Sequence, residues 1–240
     1  MTDDRRDSLS RGLDSIVARI ERAKVAAGRT DPNDQVRLVV VTKTFPASDV
    51  ELLADLGVRD VGENRDQEAR AKRAALQATP VRWHMIGRLQ RNKASSVARW
   101  ADVVESLDRR ELVAPLAAAA ERYERAPLDV LIQVSLDPDP DPGRGGAAPA
   151  DVPFLAEAVA GEPALRLCGV MAVAPHPDTG VDPRSAFARL REIAERVQAS
   201  WPDAKQMSAG MSQDLEAGIA AGATQVRVGG AILGERTYVQ

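Results

Sequence analysis

Lys43 directly follows the apolar run VVVT, so its amine is attached to the end of a predicted buried strand. Partial burial disfavours the charged form of an amine, and the neutral form is the nucleophile that forms an imine with an aldehyde. The alternative is a lysine that only extends its ammonium group into solvent from the end of the strand. Position alone leaves the two interpretations equally open.

Two segments near the end of the chain have the composition of an anion-binding site. The first, SAGMS, contains Ser208 and Ser212, and the second is the pair Gly229 and Gly230. Glycines let backbone N–H groups approach an oxyanion, the hydroxyls add donors, and a predicted helix over 213–221 would present its positive end. The simpler alternative is that the glycines only permit a tight turn and that Ser212 only caps the helix.

Three further polar residues each allow two interpretations. Asn64 precedes a predicted helix and either contacts a ligand or caps that helix. His84 lies inside a predicted strand and is either a catalytic group or a packing residue. Arg227 lies between two valines, so it either faces the interior or pairs with a carboxylate on an outer helix. An interior arginine requires a specific partner, because an unpaired buried charge costs several kcal/mol.

Short apolar runs alternate along the chain with segments that have helical spacing of apolar residues, and these elements must position the polar groups. Serine or aspartate followed three residues later by glutamate, as in Ser48 with Glu51 and Asp108 with Glu111, predicts capping boxes at two helix starts. The predicted strands are 37–42, 58–62, 81–86, 102–106, 128–135, 165–173, 205–209 and 225–229. The predicted helices are 9–27, 49–56, 65–77, 92–100, 109–125, 152–160, 183–200 and 213–221.

Apolar strands that are each followed by a helix leading back to the start of the next strand predict a parallel sheet. Eight such strands can close into a TIM-type (β/α)8 barrel. The first helix is then an addition to the barrel. An open, doubly wound sheet is the alternative. The alternation continues beyond the Asp-, Pro- and Gly-rich segment 137–153, so we expect a surface loop there and one domain over residues 1–240. In either fold, ligands bind at the carboxyl ends of the strands.

Composition excludes several classes of function. The net charge is −3, with acidic and basic residues interspersed, so no basic face for nucleic acid is expected. Cys168 is the single cysteine and only two histidines are present, so a metal site is not expected. A charged N-terminus and the absence of a long apolar stretch predict a cytoplasmic protein with no membrane span.

The motifs together resemble those of the YggS/PROSC-type pyridoxal phosphate-binding proteins, whose barrel is similar to the N-terminal domain of alanine racemases. The resemblance covers nearly the whole chain. Its matching segments are VTKTFP, GENRDQE, WHMIGRLQRNK, GVMAVAP and SAGMSQDLEAGIAAGATQVRVGGAILG.

The resemblance implies specific roles for the residues discussed above. Lys43 would form a Schiff base with pyridoxal 5′-phosphate, and Asn64 would contact the cofactor. Ser208, Gly229 and Gly230 would hold the phosphate. Arg227 would face the pyridine nitrogen. This chain departs from the family at Gly230, where a threonine is common, so one hydroxyl contact to the phosphate is expected to be missing.

The resemblance also implies a role in intracellular pyridoxal phosphate homeostasis without robust catalytic turnover, and no catalytic residue is expected. A racemase needs a second base, and the chain's tyrosines are Tyr123, on a predicted outer helix, and Tyr238, in the final segment. Expected partners are the cofactor and pyridoxal phosphate-dependent apoenzymes, and the protein is expected to be a monomer. The alternatives are a small pyridoxal phosphate-dependent racemase or lyase, and a barrel enzyme in which Lys43 binds a phosphorylated sugar.

Overall fold

Eight parallel strands form a closed barrel in the computed structural model, which describes residues 2–125, 127–139 and 143–234. Each strand pairs with the next one along the chain, and β8 pairs with β1. The predicted TIM-type barrel is therefore confirmed, and the open sheet is excluded. The strands are β1 (Arg37–Val41), β2 (Asp60–Glu63), β3 (Arg82–Met85), β4 (Val103–Leu107), β5 (Leu128–Gln133), β6 (Leu165–Met171), β7 (Gln206–Ser208) and β8 (Gln225–Val228).

Helices surround the barrel, with one preceding β1 and a short one following β8. They are α1 (Thr2–Ala26), α2 (Ala47–Asp55), α3 (Asp66–Ala75), α4 (Ala94–Val97), α5 (Val113–Arg122), α6 (Val152–Ala160), α7 (Pro183–Ser200), α8 (Leu215–Ala220) and α9 (Gly230–Leu233). Single 3₁₀ turns at Arg91–Lys93, Arg110–Leu112 and Pro177–Thr179 complete the secondary structure of the described residues.

The apolar residues form two clusters because each strand has two buried faces. The larger cluster lies between the strands and the helices and includes Trp83 and Phe187. A small cluster of Val103, Leu131 and Cys168, joined by Met171, lines part of the barrel interior. Burial of this extent, with side chains fully removed from water, is the main driving force for folding. The remainder of the interior contains charged and polar side chains, which form the candidate site.

The additional helix α1 packs across the seam where β8 meets β1. Its buried apolar face includes Leu9 and Ile16. Gly12 lies so close to α9 that a Cβ atom there would be 2.8 Å from the carbonyl oxygen of Ile232. Arg5 donates hydrogen bonds to Asp49 on α2 and, at 3.1 Å, to the carbonyl of Leu233. Helix α1 therefore joins the first and last elements of the barrel.

Several local predictions were wrong. Helix α2 starts at Ala47 after Pro46, which places Ser48 inside the first turn, and no side chain caps this helix start. Arg109, not Asp108, precedes the 3₁₀ turn before α5, and no side-chain cap bond forms there either. The carboxylate of Asp108 instead accepts a hydrogen bond from Arg109. The predicted helices 92–100 and 213–221 are shorter, as α4 and α8.

The segment 137–153 is not entirely a surface loop in its described part. Ala147 is buried and forms a parallel bridge with Val134 at the carboxyl end of β5. Backbone hydrogen bonds of 2.8 Å join Ala147 to Gln133 and Ser135. The chain therefore returns over the barrel rim here before it starts α6. Within residues 2–125, 127–139 and 143–234, no helix combines the length and apolar composition needed to cross a bilayer.

Candidate functional site

Lys43 lies two residues beyond the end of β1, at the carboxyl mouth of the barrel, and is half-buried. It belongs to a tight turn that is closed by a hydrogen bond of 3.1 Å from the Phe45 N–H to the Thr42 carbonyl. The next residue, Thr44, has a φ of 70°, a left-handed conformation that is rare for a β-branched residue. The predicted placement of Lys43 at a strand end is therefore confirmed, and the turn that carries it is strained.

The glycine turn after β8 lies beside the end of β1. A Cβ atom at Gly229 would be 3.0 Å from the carbonyl oxygen of Val41, so only a residue without a side chain fits comfortably here. Gly230 begins α9, and open space surrounds the position of its missing Cβ atom. Because β1 and β8 are neighbours, this turn and the Lys43 turn meet at adjacent strand ends.

Arg227 faces the barrel interior, which resolves the two alternatives for this residue. It donates one hydrogen bond to the hydroxyl of Ser208 and another, at 2.8 Å, to the carbonyl of Ala172. The carboxylate of Glu105 lies 3.8 Å from its guanidinium. Burial lowers the pKa of Arg227, and Glu105 opposes this effect. The specific partner that an interior arginine requires is therefore present.

A chain of polar groups crosses the barrel interior from Arg227. Ser208 donates to Glu105 at 2.6 Å, and the other oxygen of Glu105 lies 2.7 Å from Nδ1 of His84. Nε2 of His84 lies 2.9 Å from Asp60. Both ring nitrogens face carboxylates, so both donate and the ring is an imidazolium. The chain therefore alternates two anions with two cations.

The pKa values within this chain depart from their ordinary values in consistent directions. Burial disfavours the charged form of His84, but the hydrogen bonds that its ring donates to Asp60 and Glu105 outweigh burial and raise the pKa of His84. Burial likewise opposes ionisation of Glu105, whereas His84 and Arg227 lower the pKa of this carboxyl group. His84 is thus an interior residue with partners on both ring nitrogens, which agrees with the interpretation as a packing histidine, although its pairing with two carboxylates was not predicted.

Ser208 lies in the barrel interior, and its hydroxyl already donates to Glu105 and accepts from Arg227. In the loop that follows, one backbone donor is also already occupied, because the N–H of Met211 donates to Asp214. Gly229 and Gly230 are therefore better placed than Ser208 to contact an anion. The first N–H groups of a helix, here those of Gly230 and Ala231, have no acceptor within the helix.

Asn64 follows β2 at the same mouth of the barrel and is half-buried. Helix α3 begins at Asp66 and Arg65 is its capping residue, so Asn64 is not the N-cap and that alternative is wrong. A Cβ atom at Gly87 would lie 2.4 Å from the carbonyl oxygen of Asn64, so the loops after β2 and β3 are in direct contact. This contact fixes the backbone of Asn64 at the rim.

Sequence reasoning missed a second buried cluster, which lies behind the Lys43 turn. Lys72 on α3 donates to the carbonyl of Thr42 at 2.8 Å, to Glu63 at 2.8 Å and to Glu68 at 2.6 Å. Glu68 also accepts from the N–H of Thr44 at 2.6 Å. One signal could have revealed this cluster: Glu63 directly follows the predicted buried strand 58–62, and a carboxylate buried at that strand end requires a cationic partner.

Sequence reasoning also missed Glu105, which connects the two cations of the interior chain. A glutamate within the apolar run DVVES is a comparable signal, because that strand was predicted to be buried. Across the described ranges, no cluster of three or more His, Cys, Asp or Glu residues is arranged to bind a metal ion.

Comparison with known proteins agrees with this geometry. The family model for the alanine racemase N-terminal domain matches residues 13–237. Fold and match together define the class of protein, a barrel of the alanine racemase N-terminal type. The pyridoxal phosphate homeostasis protein of Mycobacterium tuberculosis is 42% identical, over 97% of this chain and 95% of the relative. The chain belongs to the family of pyridoxal phosphate homeostasis proteins, which confirms the resemblance drawn from its motifs.

Solved structures support the same family. A protein of unknown function from Bifidobacterium adolescentis has a TM-score of 0.84 and 30% identity, with 96% of each chain covered. PipY from Synechococcus elongatus, solved with pyridoxal phosphate bound, has a TM-score of 0.76 and 30% identity, with 94% of this chain and 100% of PipY covered.

Proposed function

We propose that this chain binds pyridoxal 5′-phosphate through a Schiff base with Lys43 and serves cofactor homeostasis in the cytoplasm, with residues 1–240 acting as one cofactor-binding domain. The observation that carries the proposal is the convergence of the Lys43 turn with the Gly229–Gly230 turn at the seam of β1 and β8, while Arg227 lies in the adjoining strand. The names of the relatives and the cofactor reported for PipY support it.

The residues present fit the chemistry of this cofactor, which supplies an aldehyde, an aromatic ring and a phosphate. Lys43 provides the amine that condenses with the aldehyde. The backbone at Gly229 and Gly230 provides N–H donors, and the open space at Gly230 leaves room for a phosphate oxygen. Asn64 provides an amide at the rim. Arg227 provides a buried guanidinium that would hold the pyridine nitrogen when the cofactor is bound.

Ser208 contributes to the phosphate site in this proposal, but in a restricted way. Its hydroxyl is shared between Glu105 and Arg227, so a phosphate contact requires this side chain to exchange one partner. Gly230 lacks the hydroxyl of the threonine common in the family. The phosphate would therefore be held mainly by backbone N–H groups, which bind anions without a side-chain charge.

The interior chain argues against efficient catalysis. Arg227 remains protonated and would not pass a proton to a ring nitrogen beside it, so a bound cofactor would be a weaker electron sink. Glu105 reinforces this charge state from 3.8 Å. We infer that the protein stores or delivers cofactor to apoenzymes, as a monomer, and does not turn over substrate rapidly.

The position of the tyrosines supports the same conclusion. Tyr123 follows α5 and contacts Ser95 and Arg99 on the outer layer of the barrel. Since helices run antiparallel to the strands in such a barrel, the end of α5 lies at the face opposite Lys43. Tyr238 lies outside the described residues. Tyr123 is therefore unsuited to act as a second base beside Lys43.

The experiment is borohydride reduction of the cofactor-loaded protein, followed by peptide mapping. We expect a yellow protein and one reduced adduct, on the peptide that contains VTKTFP. Lys43→Ala and Lys43→Arg should both lose this adduct and remain folded, because a guanidinium does not form the imine. Lys93→Ala and Lys205→Ala are matched controls, since both lysines are exposed and should leave labelling unchanged.

Labelling on Lys93 or Lys205, with Lys43→Ala still fully modified, would overturn the proposal. An assay with amino-acid enantiomers tests the second part of the proposal, the absence of rapid turnover. We expect rates far below those of dedicated pyridoxal enzymes, and turnover that survives repurification but is lost in Lys43→Ala would establish a small racemase or lyase instead.

A further inference from the structure

We propose that Lys72, together with Glu63 and Glu68, positions Lys43 by holding its turn in a strained conformation. The inference rests on the proposed function of Lys43. It assigns a role to a buried ionic cluster on β2 and α3 that does not itself line the barrel interior.

The strain is located at the residue after Lys43. The bond from the Phe45 N–H to the Thr42 carbonyl closes a four-residue turn in which Thr44 is the third residue. Its φ of 70° is the value that a type II turn requires at this position, where glycine is the usual residue. A β-branched side chain disfavours this conformation, so other contacts must stabilise it.

The cluster supplies those contacts on both sides of Lys43. Lys72 has three N–H donors, and they bond the Thr42 carbonyl, Glu63 and Glu68. Glu68 in turn accepts the N–H of Thr44. The backbone is thus tied down immediately before and immediately after the lysine.

Burial makes the contacts of Lys72 with Thr42 and Glu63 effective, whereas the bond from the Thr44 N–H to Glu68 lies at the surface. Lys72 is 6% exposed and Glu63 is fully buried, so water does not readily replace either partner. The hydroxyl of Thr42 also donates to Glu63 at 2.6 Å, which adds a further restraint. Relaxing φ at Thr44 would move its N–H away from Glu68 and rotate the adjoining peptide, which would redirect the Lys43 side chain. The direction of the amine is therefore set by residues that do not contact the cofactor.

The test combines Lys72→Met, which removes the ammonium and keeps a long side chain, with Thr44→Gly, which removes the strain. Lys205→Met is the matched control, because Lys205 is exposed. Two quantities are measured: hydrogen exchange of the Phe45 amide in the cofactor-free protein, and the rate at which borohydride fixes pyridoxal phosphate to Lys43. Circular dichroism verifies that each variant is folded.

In Lys72→Met we expect the Phe45 amide to exchange about tenfold faster and trapping on Lys43 to slow by about tenfold, as release of a strained residue predicts. In the double variant, Lys72→Met with Thr44→Gly, both rates should lie within about twofold of those in Thr44→Gly alone, since glycine adopts positive φ without strain. Lys205→Met should change neither. If Lys72→Met does not fold, Glu68→Gln is the second variant, and we expect changes in the same direction.

The proposal is overturned if folded Lys72→Met retains wild-type exchange and trapping, or if Thr44→Gly fails to rescue it. Loss of global stability without these local changes would indicate a purely structural role and would also overturn it. Absence of trapping on Lys43 in the wild-type protein would refute the proposed function instead. The exchange measurement needs no cofactor, so it decides the positioning role in either case.

Discussion

Replacing Glu105 by glutamine removes one charge from the interior of the barrel while preserving the size of the side chain. Glu105 is fully buried, and its two oxygens contact His84 and Ser208. Without this charge, the hydrogen-bond partners of Arg227 among the described residues are neutral, the Ser208 hydroxyl and the Ala172 carbonyl, and Asp214 is left as the carboxylate that acts on it from a distance. The alternation of two anions and two cations becomes one anion with two cations.

The structure sets the size of the expected loss in the free energy of unfolding. Removing one partner of a buried ion pair costs about 3–5 kcal/mol, because the other charge stays buried without compensation. The 3.8 Å separation of Glu105 from Arg227 is longer than a hydrogen bond, and the glutamine carbonyl can still accept from His84. We therefore expect the lower end of the range, a decrease of about 3 kcal/mol in the free energy of unfolding.

The assay is urea denaturation followed by both tryptophan fluorescence and circular dichroism, so that coincident transitions verify two-state behaviour. At an m value of about 2–3 kcal/mol/M, the midpoint should fall by about 1–1.5 M. Glu51→Gln is the control, because Glu51 is exposed on α2 and should change stability by less than about 0.5 kcal/mol. A loss below about 1 kcal/mol in Glu105→Gln would refute the argument that this carboxylate balances the interior cations.

Three further predictions address single positions. In the His176→Gln variant, the NMR titration of His84 should show a midpoint above the ordinary pKa of 6.5. The stability that protonation of His84 contributes should be lost as pH rises through this folded-state midpoint. A midpoint below 6.5 would contradict the imidazolium. Burial raises the pKa of Cys168 to about 11, so a thiol reagent at pH 8 should label the native protein far more slowly than the urea-unfolded protein, and equal rates would contradict burial of the thiol. The Gly230→Thr variant should fold normally, because open space surrounds the Cβ position. The added hydroxyl should slow cofactor release by up to about tenfold through one more hydrogen bond. Faster release would show that the backbone at Gly230, not a missing hydroxyl, governs retention.

The strands and most helices could be predicted because their patterns depend on burial. Helices α6 and α7 have the predicted bounds, and each strand was found within two residues of its predicted start. An apolar run such as RLVVV is buried on both faces whatever its neighbours are, so its sequence alone indicates a strand. The placement of Lys43 and Gly229 at the mouth followed from those bounds.

The contacts across the barrel could not be predicted, because they depend on which strand faces which. Nothing local indicates that Glu105 meets His84 and Arg227, since these residues come from three separate strands. The predictions of helix starts failed for a different reason. Helix α2 begins directly after Pro46, two residues earlier than the capping-box pattern predicts, and Ser48 therefore lies inside the first turn, where it forms no cap bond. The strain at Thr44 also escaped prediction, because threonine is an unusual choice for a positive φ.

The seam between β8 and β1 has a consequence for synthesis of the chain. Arg5 and Leu233, which meet across this seam through α1 and α9, are 228 positions apart in sequence. Contacts of such separation are slow to form because a long loop must close first. During translation, β1 emerges early and waits with an unpaired edge until β8 follows, a state in which strands are prone to aggregate. Helix α1 packs against α8 and α9 beside the same seam, so it can dock fully only once these last helices have been made, and it leaves the edge of β1 without this cover until then.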